Sequence, residues 1–487
     1  MKIAFVSSEV VPFAKTGGLA DVAGALPNEL CKLGHEVSVF MPLYKCINRE
    51  NYKLKPLLSD IAIDLGDEVV LGNAFSCTLR GGKTRIIFIE QEDFFNRAGL
   101  YQSEGKDFED NAERFIYFSR AVLEICKRLD WKPNIVHCND WQTGLIPVYL
   151  KSLYAHDPFF SEIRSIFTIH NLAYQGVFHK SFMEKTGLSW DLFTMDKLEF
   201  WGKLNFLKSG LVFSDLVTTV SERYSQEIQT EEYGAGLNGV LRGRKNDLFG
   251  IINGVDYKIF SPEKDTLIYK NYSSKSLEKK LENKKYLQKQ VGLRSRKGVP
   301  LFGIISRLAD QKGFDILSEV MESFMQLNCQ LILLGTGEPK YHKLFEGLEA
   351  KYPSKLKALL KFDATMAQQI YAGCDLFLMP SRYEPCGLGQ LISLKYGTIP
   401  VVRETGGLAD TIIDFDLAKD FEGERGNGFV FYDYSGQELL KAIHRAISIY
   451  KDEKAWPRLV HNAMRYDYSW KASAQRYDQL YKKVLLY

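Results

Sequence analysis

The sequence predicts an α/β protein with two Rossmann-like domains, each built on a parallel sheet with helices on both faces. Short apolar runs rich in Val, Ile and Phe alternate with longer amphipathic stretches along the chain. At 487 residues the chain is too long for one hydrophobic core, so two domains of roughly 200–250 residues are expected. The apolar runs also form two sets, separated by a stretch rich in Lys and Glu.

The first set of apolar runs predicts the sheet of an N-terminal domain. Each run is short and almost wholly apolar, as expected for strands that are buried on both faces of a parallel sheet. The predicted strands are Lys2–Ser7, Glu36–Phe40, Arg85–Ile89, Asn134–Cys138, Ser165–Ile169 and Leu216–Val220.

The second set predicts the sheet of a C-terminal domain. Its strands are Leu301–Ile305, Gln330–Leu334, Leu376–Met379, Ile399–Val402 and Gly428–Phe431. The boundary is expected within Ile252–Asp256, because Asn-Gly favours a turn. We therefore expect domains over residues 1–252 and 253–468. Apolar and aromatic residues spaced by three and four predict a final amphipathic helix over Ser469–Tyr487.

The composition excludes several classes of protein. The chain has 45% hydrophobic and 25% charged residues and a net charge of +3, which is ordinary for a globular protein and gives no basic footprint for nucleic acid. The Lys-rich stretch Lys275–Lys289 is interpreted as a solvated helix face. Ile3–Val6 already resembles a buried strand, so no signal peptide is expected, and no apolar run is long enough to span a bilayer.

The cysteines favour a reducing compartment. All 8 are scattered and none forms a C-x-x-C pair, so neither a zinc site nor a disulfide framework is expected. A cytoplasmic protein fits this pattern best.

Two glycine-rich loops share the sequence Thr-Gly-Gly-Leu-Ala-Asp, one after Lys15 and one after Glu404. Each follows a predicted strand and opens a predicted helix, where backbone N–H groups and the helix dipole favour a phosphate. A plain tight turn explains either loop alone equally well. Neither loop is the G-x-G-x-x-G fingerprint or a Walker loop, which disfavours NAD-dependent oxidoreductases and P-loop NTPases.

Charged residues follow strands of the second set, where ligands bind in open α/β sheets. Arg307 and Lys312 come after Leu301–Ile305, and two fixed cations there can stabilise a departing diphosphate as a metal would. Glu384 follows Leu376–Met379 and can bind sugar hydroxyls or stabilise positive charge on an anomeric carbon. A surface basic pair and a surface glutamate in a proline turn are the structural alternatives.

Polar residues also follow two strands of the first set. Asp140 comes after Asn134–Cys138, and His170 and Asn171 come after Ser165–Ile169. A histidine at a strand end is often structural, and no serine or cysteine nucleophile motif accompanies this one. Cys386 has no paired base in the sequence and is assigned to packing.

Taken together, these motifs resemble the bacterial glycogen synthase and plant starch synthase family over nearly the whole chain. The resemblance rests on several motifs in the right order. They are Lys15–Leu19, Val136–Trp141, Phe167–Gly176, Ile252–Asp256, Ser306–Leu308, Gln311–Gly313, Pro380–Leu388 and Thr405–Leu408.

The resemblance implies a GT-B fold, in which the two Rossmann-like domains face each other across a deep cleft. It implies transfer of glucose from ADP-glucose to the non-reducing 4-hydroxyl of an α-1,4-glucan, with retention and without a metal or cofactor. Residues 1–252 would form the acceptor side and residues 253–468 the donor side. The helix over residues 469–487 would cross back to the N-terminal domain. No membrane or nucleic-acid partner is implied.

The resemblance also assigns roles to individual residues. Arg307 and Lys312 would neutralise the leaving ADP, and Glu384 would bind glucose near its reacting carbon. His170 would line the glucose pocket with Asp140 and Asn171. Phe362 would lie beside the adenine, and Lys15 with the two following glycines would contact the diphosphate. The substrate-binding positions carried over beyond these are Gly17, Gly18, Asn253, Cys386, Gly387, Leu388, Thr405, Gly406 and Gly407.

The chain departs from its relatives at a few of these positions. Ile392 stands where related retaining transferases carry a second glutamate, and the glycogen synthase family also lacks that glutamate. Asn139, Gln142 and Thr143 differ from the His-rich version of this loop, and Gly389 replaces a more usual polar residue. A transferase that uses UDP-glucose and a catalytically silent glucan-binding protein remain the alternatives. A phosphorylase is disfavoured because no lysine motif for pyridoxal phosphate is present.

Overall fold

The computed structural model describes residues 1–79, 82–296, 298–415 and 426–486. The chain divides into two compact units. Unit 1 comprises Met1–Gly254 together with Trp470–Tyr487, and unit 2 comprises Val255–Ser469. Tyr487, the last residue of the predicted final helix, lies outside the described residues.

Unit 1 is built on a nine-stranded sheet of order β14-β13-β9-β8-β1-β2-β5-β4-β3. Strands β14 to β5 in this order are parallel, whereas β4 pairs antiparallel with both β5 and β3. A small sheet of order β10-β12-β11 and the pair β6-β7 complete the unit. The strands are β1 Lys2–Val6, β2 Glu36–Pro42, β3 Lys55–Leu65, β4 Glu68–Thr78, β5 Arg85–Glu90, β6 Gln102–Ser103, β7 Lys106–Asp107, β8 Ile135–Asn139, β9 Arg164–Ile169, β10 Val177–His179, β11 Glu199–Phe200, β12 Lys203–Asn205, β13 Leu216–Thr219 and β14 Leu248–Gly250.

The helices of unit 1 cover this sheet. The first eight are α1 Gly18–Lys32, α2 Glu92–Phe95, α3 Asn111–Arg128, α4 Leu145–Lys151, α5 Phe182–Thr186, α6 Phe206–Phe213, α7 Glu222–Glu227 and α8 Asn238–Gly243. Strands β1 and β8, at the middle of the sheet, are almost wholly buried, and the polar His137 and Asn139 of β8 are satisfied there by hydrogen bonds.

Unit 2 is built on a six-stranded sheet of order β17-β16-β15-β18-β19-β20, and all of its strand pairs are parallel. Its strands are β15 Leu301–Ile305, β16 Gln330–Leu334, β17 Leu356–Leu359, β18 Leu376–Met379, β19 Ile399–Arg403 and β20 Phe429–Phe431. Its helices are α9 Glu278–Gln290, α10 Phe314–Gln326, α11 Pro339–Lys351, α12 Ala364–Gly373, α13 Gly389–Lys395, α14 Gly406–Thr411, α15 Gly436–Tyr450 and α16 Ala455–Arg465. The final helix, α17 Trp470–Val484, packs in unit 1.

The helix α9 corrects one expectation from the sequence. Its Lys-rich surface is not wholly solvated, because Lys280 and Lys284 are buried. The ammonium of Lys284 donates to Asp375 Oδ2 at 2.5 Å, and that of Lys280 donates to Thr398 Oγ1 at 2.7 Å. A long apolar stem lets each lysine reach buried hydrogen-bond acceptors, and Lys284 also gains the carboxylate of Asp375, whereas burial lowers the pKa of Lys280 to about 7.

Helix α17 closes the core of unit 1. Its aromatic residues Tyr477 and Tyr481 are fully buried. The hydroxyl of Tyr481 hydrogen-bonds His137 Nδ1 on the central strand β8 at 2.7 Å. The last stretch of the chain therefore folds with the residues nearest the N-terminus rather than with its sequence neighbours.

Candidate active site

The residues singled out from the sequence form two groups, one in each unit, and nearly all follow the carboxyl ends of strands. In unit 1 they follow β1, β8 and β9, which are neighbours in the sheet. In unit 2 most of them follow β15, β18 and β19, which are also neighbours, and Phe362 follows β17. Parallel strands bring the loops at their carboxyl ends together at one edge of each sheet.

The Lys15 loop leaves open space at its glycines. Helix α1 begins at Gly18, and Gly17 is its N-cap residue. A Cβ atom added to either glycine would meet no other atom within 4 Å. The ammonium of Lys15 donates to both carboxylate oxygens of Asp21, at 2.7 and 2.8 Å. Burial raises the pKa of Asp21, and the neighbouring Lys15 acts against this shift.

Glu9, which lies in no motif recognised from the sequence, fixes this loop. Its side chain is buried, with 4% exposed. It accepts hydrogen bonds from the backbone N–H and the hydroxyl of Thr16, from the N–H of Gly17 at 3.1 Å and from the hydroxyl of Tyr101 at 2.8 Å. The N–H of Gly17 is therefore already used within the protein. The sequence signal was a carboxylate in the loop directly after β1, close to the glycines.

Asp140 and His170 are joined by hydrogen bonds. Asp140 has a positive φ of 55°, and its Oδ1 accepts the backbone N–H of His170 at 2.7 Å. Desolvation raises the pKa of Asp140 to about 7, although backbone N–H groups of His170 and Asn171 lower it. Asp140 therefore titrates near neutral pH, which is unusual for a carboxyl group.

His170 is neutral at physiological pH, because burial lowers its pKa to about 3. Its Nε2 contacts Asn139 Oδ1 at 2.9 Å. The amide of Asn139 is oriented by its Nδ2, which donates to the carbonyl of Val6 at 3.0 Å. Since Oδ1 of Asn139 accepts only, Nε2 of His170 carries the proton and Nδ1 is left as an acceptor. Asn139, noted from the sequence only as a departure, thus sets the tautomer.

Asn253 is buried at the end of unit 1, with 5% exposed. Its Oδ1 receives no hydrogen bond from the part of the chain that the structure describes. A buried acceptor without a partner is uncommon and marks a position where a ligand can donate.

Glu384 is the centre of the group in unit 2. Its side chain is buried, with 6% exposed. The ammonium of Lys312 donates to Glu384 Oε2 at 2.6 Å, and the hydroxyl of Ser381 donates to the same oxygen at 3.0 Å. The fold thus joins two of the residues selected from separate motifs. Both of these hydrogen bonds go to Oε2, so neither of them uses the other carboxylate oxygen, Oε1.

The second glycine loop differs from the first in what surrounds it. A Cβ atom added to Gly406 would lie 2.0 Å from the carbonyl oxygen of Glu384, and one added to Gly407 would lie 1.9 Å from that of Cys386. The N–H of Gly407 donates to the carbonyl of Glu384 at 3.0 Å. These glycines therefore allow the backbone after β19 to pack directly on the segment that carries Glu384. Thr405, which caps helix α14, is buried beside them.

The other selected residues of unit 2 have varied surroundings. Arg307 is exposed, and its guanidinium donates to the neutral side chain of Gln311 at 3.1 Å, so this contact leaves its charge available. Phe362 is 89% exposed in the loop before α12.

The segment that follows Glu384 leads into helix α13. Gly387 has a φ of +72°, which suits glycine, and Leu388 directly precedes the helix. Cys386 is buried, and its carbonyl accepts from Gln390 Nε2 at 2.9 Å.

Three structural findings concern metals, thiols and membranes. Among the described residues no cluster of three or more His, Cys, Asp or Glu side chains is arranged to hold a metal ion. All of the cysteines are free thiols. Within the described ranges, none of the helices combines the length and apolar character that crossing a bilayer requires.

Comparison with protein families gives two matches that together span most of the chain. Residues 2–243 match the starch synthase catalytic domain. Residues 287–459 match the group 1 glycosyl transferases.

Individual relatives match over the full length. The chain is 49% identical to a glycogen synthase of Thermosipho africanus and 47% identical to one of Thermotoga maritima, in each case over 100% of this chain and 99% of the relative. Among solved structures, the catalytic domain of starch synthase IV from Arabidopsis thaliana, bound to ADP and acarbose, is 35% identical with a TM-score of 0.90 and covers 100% and 99% of the two chains. A sucrose-phosphate synthase from Thermosynechococcus elongatus shares the fold at 18% identity, with a TM-score of 0.60 and the same coverage.

Proposed function

The chain belongs to the glycogen synthase and starch synthase family of GT-B glucosyltransferases, and we propose that it transfers glucose from ADP-glucose to an α-1,4-glucan with retention. The acceptor group is the non-reducing 4-hydroxyl of the glucan. The observation that carries the proposal is the contact between Lys312 and the buried Glu384 at the carboxyl ends of β15 and β18. This contact supports the proposal because a leaving phosphate is stabilised by a cation and a developing positive sugar carbon is stabilised by a carboxylate.

The residues of unit 2 are assigned to the donor. Arg307 and Lys312 stabilise the negative charge that builds on the departing diphosphate. Glu384 binds the glucose close to C1, and the backbone of Cys386, Gly387 and Leu388 lines the same position. The exposed ring of Phe362 is available to stack on adenine. Gly406 and Gly407 keep the Glu384 segment in place through the close backbone contacts described above.

The residues of unit 1 are assigned to the diphosphate and the glucose. Lys15 and Gly18 contact the diphosphate, and the open space at Gly17 admits it. Neutral His170 and Asn171 bind sugar hydroxyls, and Asp140 fixes the backbone that carries them. Asn253 accepts a hydrogen bond from the ligand through its unpartnered Oδ1. We further propose that residues 1–252 bind the acceptor glucan in addition to these donor contacts, and that residues 253–468, which begin at Asn253 itself, form the donor side.

The reaction that we propose is a same-face displacement. The bond between C1 of glucose and the phosphate oxygen breaks, and a bond forms between C1 and the 4-hydroxyl oxygen of the glucan. The proton of that hydroxyl moves to the departing phosphate oxygen, so that ADP leaves as the second product. No metal or cofactor takes part, because the cations of the chain supply the charge that the leaving group requires. A cytoplasmic location fits this chemistry.

The experiment is incorporation of labelled glucose into glycogen from ADP-glucose, with UDP-glucose in parallel and with a chelator present. We expect strong preference for ADP-glucose and no loss with chelator. Glu384→Ala should lower kcat by about a hundred- to a thousandfold, as removal of a transition-state electrostatic contact does. Glu346→Ala, on the exposed surface of α11, is the matched control. Preference for UDP-glucose would reject the donor, and near-normal turnover by Glu384→Ala would reject its role.

A further inference from the structure

Trp201 lies at the tip of a tight hairpin with an unfavourable backbone conformation. The hairpin joins β11 and β12 through the two residues Trp201 and Gly202, whose φ angles are +52° and +74°. Such a turn favours Asn-Gly, since a bulky residue at positive φ is strained. The side chain is nevertheless 83% exposed, so packing within the protein does not offset this strain. Strain and exposure together at one aromatic residue point to a function outside the core.

The hairpin is held rigidly in this position. The N–H of Gly202 donates to Glu199 Oε1 at 2.5 Å. The buried ammonium of Lys208 donates to the carbonyls of Glu199 and Met195. The ring of Phe200 packs on Gly236, where an added Cβ would approach it to 2.9 Å. Trp201 is thus displayed on a fixed support, which lowers the entropy that a ligand must overcome on binding.

The hairpin is connected by a hydrogen bond to the loop that carries His170 and Asn171. That loop runs on to Gln175, whose side chain donates to the carbonyl of Ala235 at 2.9 Å and accepts from Asn205 Nδ2 at 2.6 Å. Asn205 is the last residue of β12, so Gln175 connects the hairpin to the glucose-binding loop. Tyr174, next to Gln175, is also exposed, at 54%.

We propose that Trp201 is a binding residue for the acceptor glucan, stacking on a glucose ring away from the reacting end of the chain. This rests on the proposed function, because the occupant is the glucan that the enzyme extends. Each glucose ring of an α-1,4-glucan has an apolar face of C–H groups, which packs well on an indole ring and carries no charge. The exposed indole of Trp201 suits this neutral ligand, because it presents a broad apolar face and carries no charge.

The test compares variants at position 201 with a control tryptophan. Trp201→Asn removes the ring but favours positive φ, so its folding stability should equal or exceed that of the unmodified protein. We expect its KM for glycogen to rise by roughly three- to tenfold, the range expected for loss of one aromatic stacking contact. The KM for ADP-glucose should not change. Trp201→Phe should keep most of the affinity, and Trp190→Ala, at a second partly exposed tryptophan, should leave it unchanged.

A second measurement separates this proposal from the proposed reaction. Retardation of the protein in native gels that contain glycogen reports glucan binding without any donor. If the unmodified protein is retarded and Trp201→Asn is retarded less, the glucan contact stands whichever nucleotide sugar is used. Equal retardation of the two proteins, or an equal rise in the KM values for glycogen and ADP-glucose, would overturn the contact even if turnover from ADP-glucose is confirmed.

Discussion

At the scale of single residues, the buried carboxylates Glu9 in unit 1 and Glu384 in unit 2 differ in their hydrogen-bond donors. Glu384 contacts a lysine and a hydroxyl, whereas Glu9 is bound by backbone N–H groups and hydroxyls of its own unit. A charged partner suits a residue beside a reacting centre, since both charges can rearrange with the substrate. A set of fixed donors suits a residue that holds a loop in one conformation.

Glu9 gives a prediction at this scale. Glu9→Ala leaves the N–H groups of Thr16 and Gly17 without their acceptor, so the Lys15 loop loses its fixed conformation. We expect the KM for ADP-glucose to rise about tenfold, since losing such a buried contact costs about 1–3 kcal/mol. The KM for glycogen should change little. Glu9→Gln keeps an accepting oxygen, so its KM for ADP-glucose should lie between those of the unmodified protein and Glu9→Ala. Initial rates at varied ADP-glucose concentration measure all three values.

The control for Glu9 is Glu29→Ala on helix α1, where the carboxylate pairs with Lys32 one turn away. It should leave both KM values unchanged. A parallel rise in both KM values for Glu9→Ala, or a large fall in its melting temperature, would instead indicate a general role in folding.

The sequence marked single residues only where they lie in a recognisable motif. Lys312 and Glu384 were selected from separate motifs, and the structure joins them. Glu9 was missed because its partners are backbone groups, which leave no pattern in side-chain identity. The neutral state of His170 was likewise unpredictable, since it depends on burial and on the orientation of the Asn139 amide.

At the scale of elements, the sequence predicted the buried parallel strands, and their positions are confirmed to within a few residues. The antiparallel hairpin of β3 and β4 was missed, as were the short strands β14 and β17. Strand β3 is largely exposed near its start, so it lacks the continuous apolar run that marks the central strands. The prediction of a parallel sheet is therefore wrong at this one edge of unit 1, where β3 and β4 run antiparallel.

The two glycine loops, identical in six positions of sequence, yield a prediction that contrasts them. Gly407→Ala places a methyl group 1.9 Å from the carbonyl oxygen of Cys386 and should destabilise unit 2 by about 1–3 kcal/mol. Gly17→Ala meets open space at an extended φ of −142°, so stability should change by less than about 0.5 kcal/mol. It should instead raise the KM for ADP-glucose, because the methyl group enters the space assigned to the diphosphate.

Urea unfolding followed by circular dichroism measures the stability of both glycine variants, and initial rates measure their KM values. Each variant serves as the control of the other, because the same substitution is made in the same sequence context. If Gly17→Ala were as destabilising as Gly407→Ala, glycine would be required at position 17 for folding rather than to leave room for the diphosphate.

At the scale of the whole molecule, helix α17 ties the end of the chain to the centre of unit 1. His137 on β8 lies between Thr168 and Tyr481, with Nε2 to Oγ1 at 2.6 Å and Nδ1 to the hydroxyl at 2.7 Å. The sequence indicated an amphipathic helix here from its spacing of aromatic residues. It did not indicate a buried histidine as partner, because burial at β8 depends on elements far apart in the chain.

His137 makes the stability of unit 1 depend on pH. Burial and the neighbouring His170 lower its pKa to about 3, whereas an unfolded histidine titrates near 6.5. Between these values only the unfolded chain binds the proton, so stability is complete above about pH 6.5 and falls as the pH is lowered. At pH 5 the loss from this one group amounts to about 2 kcal/mol. Asp140 acts in the opposite direction, since its raised pKa of about 7 favours the protonated folded form.

Comparison with His137→Gln isolates the contribution of His137 from that of Asp140. The variant should be less stable at pH 7.5, because it loses hydrogen bonds, but its stability should fall less between pH 7.5 and pH 5. Urea unfolding followed by tryptophan fluorescence suits this measurement, since every tryptophan except Trp456 lies in unit 1. The same fall for both proteins would mean that His137 is not neutral in the folded state. A smaller fall for the variant would show that the buried His137 contributes to the acid sensitivity of unit 1, beside His170, whose pKa burial also lowers to about 3.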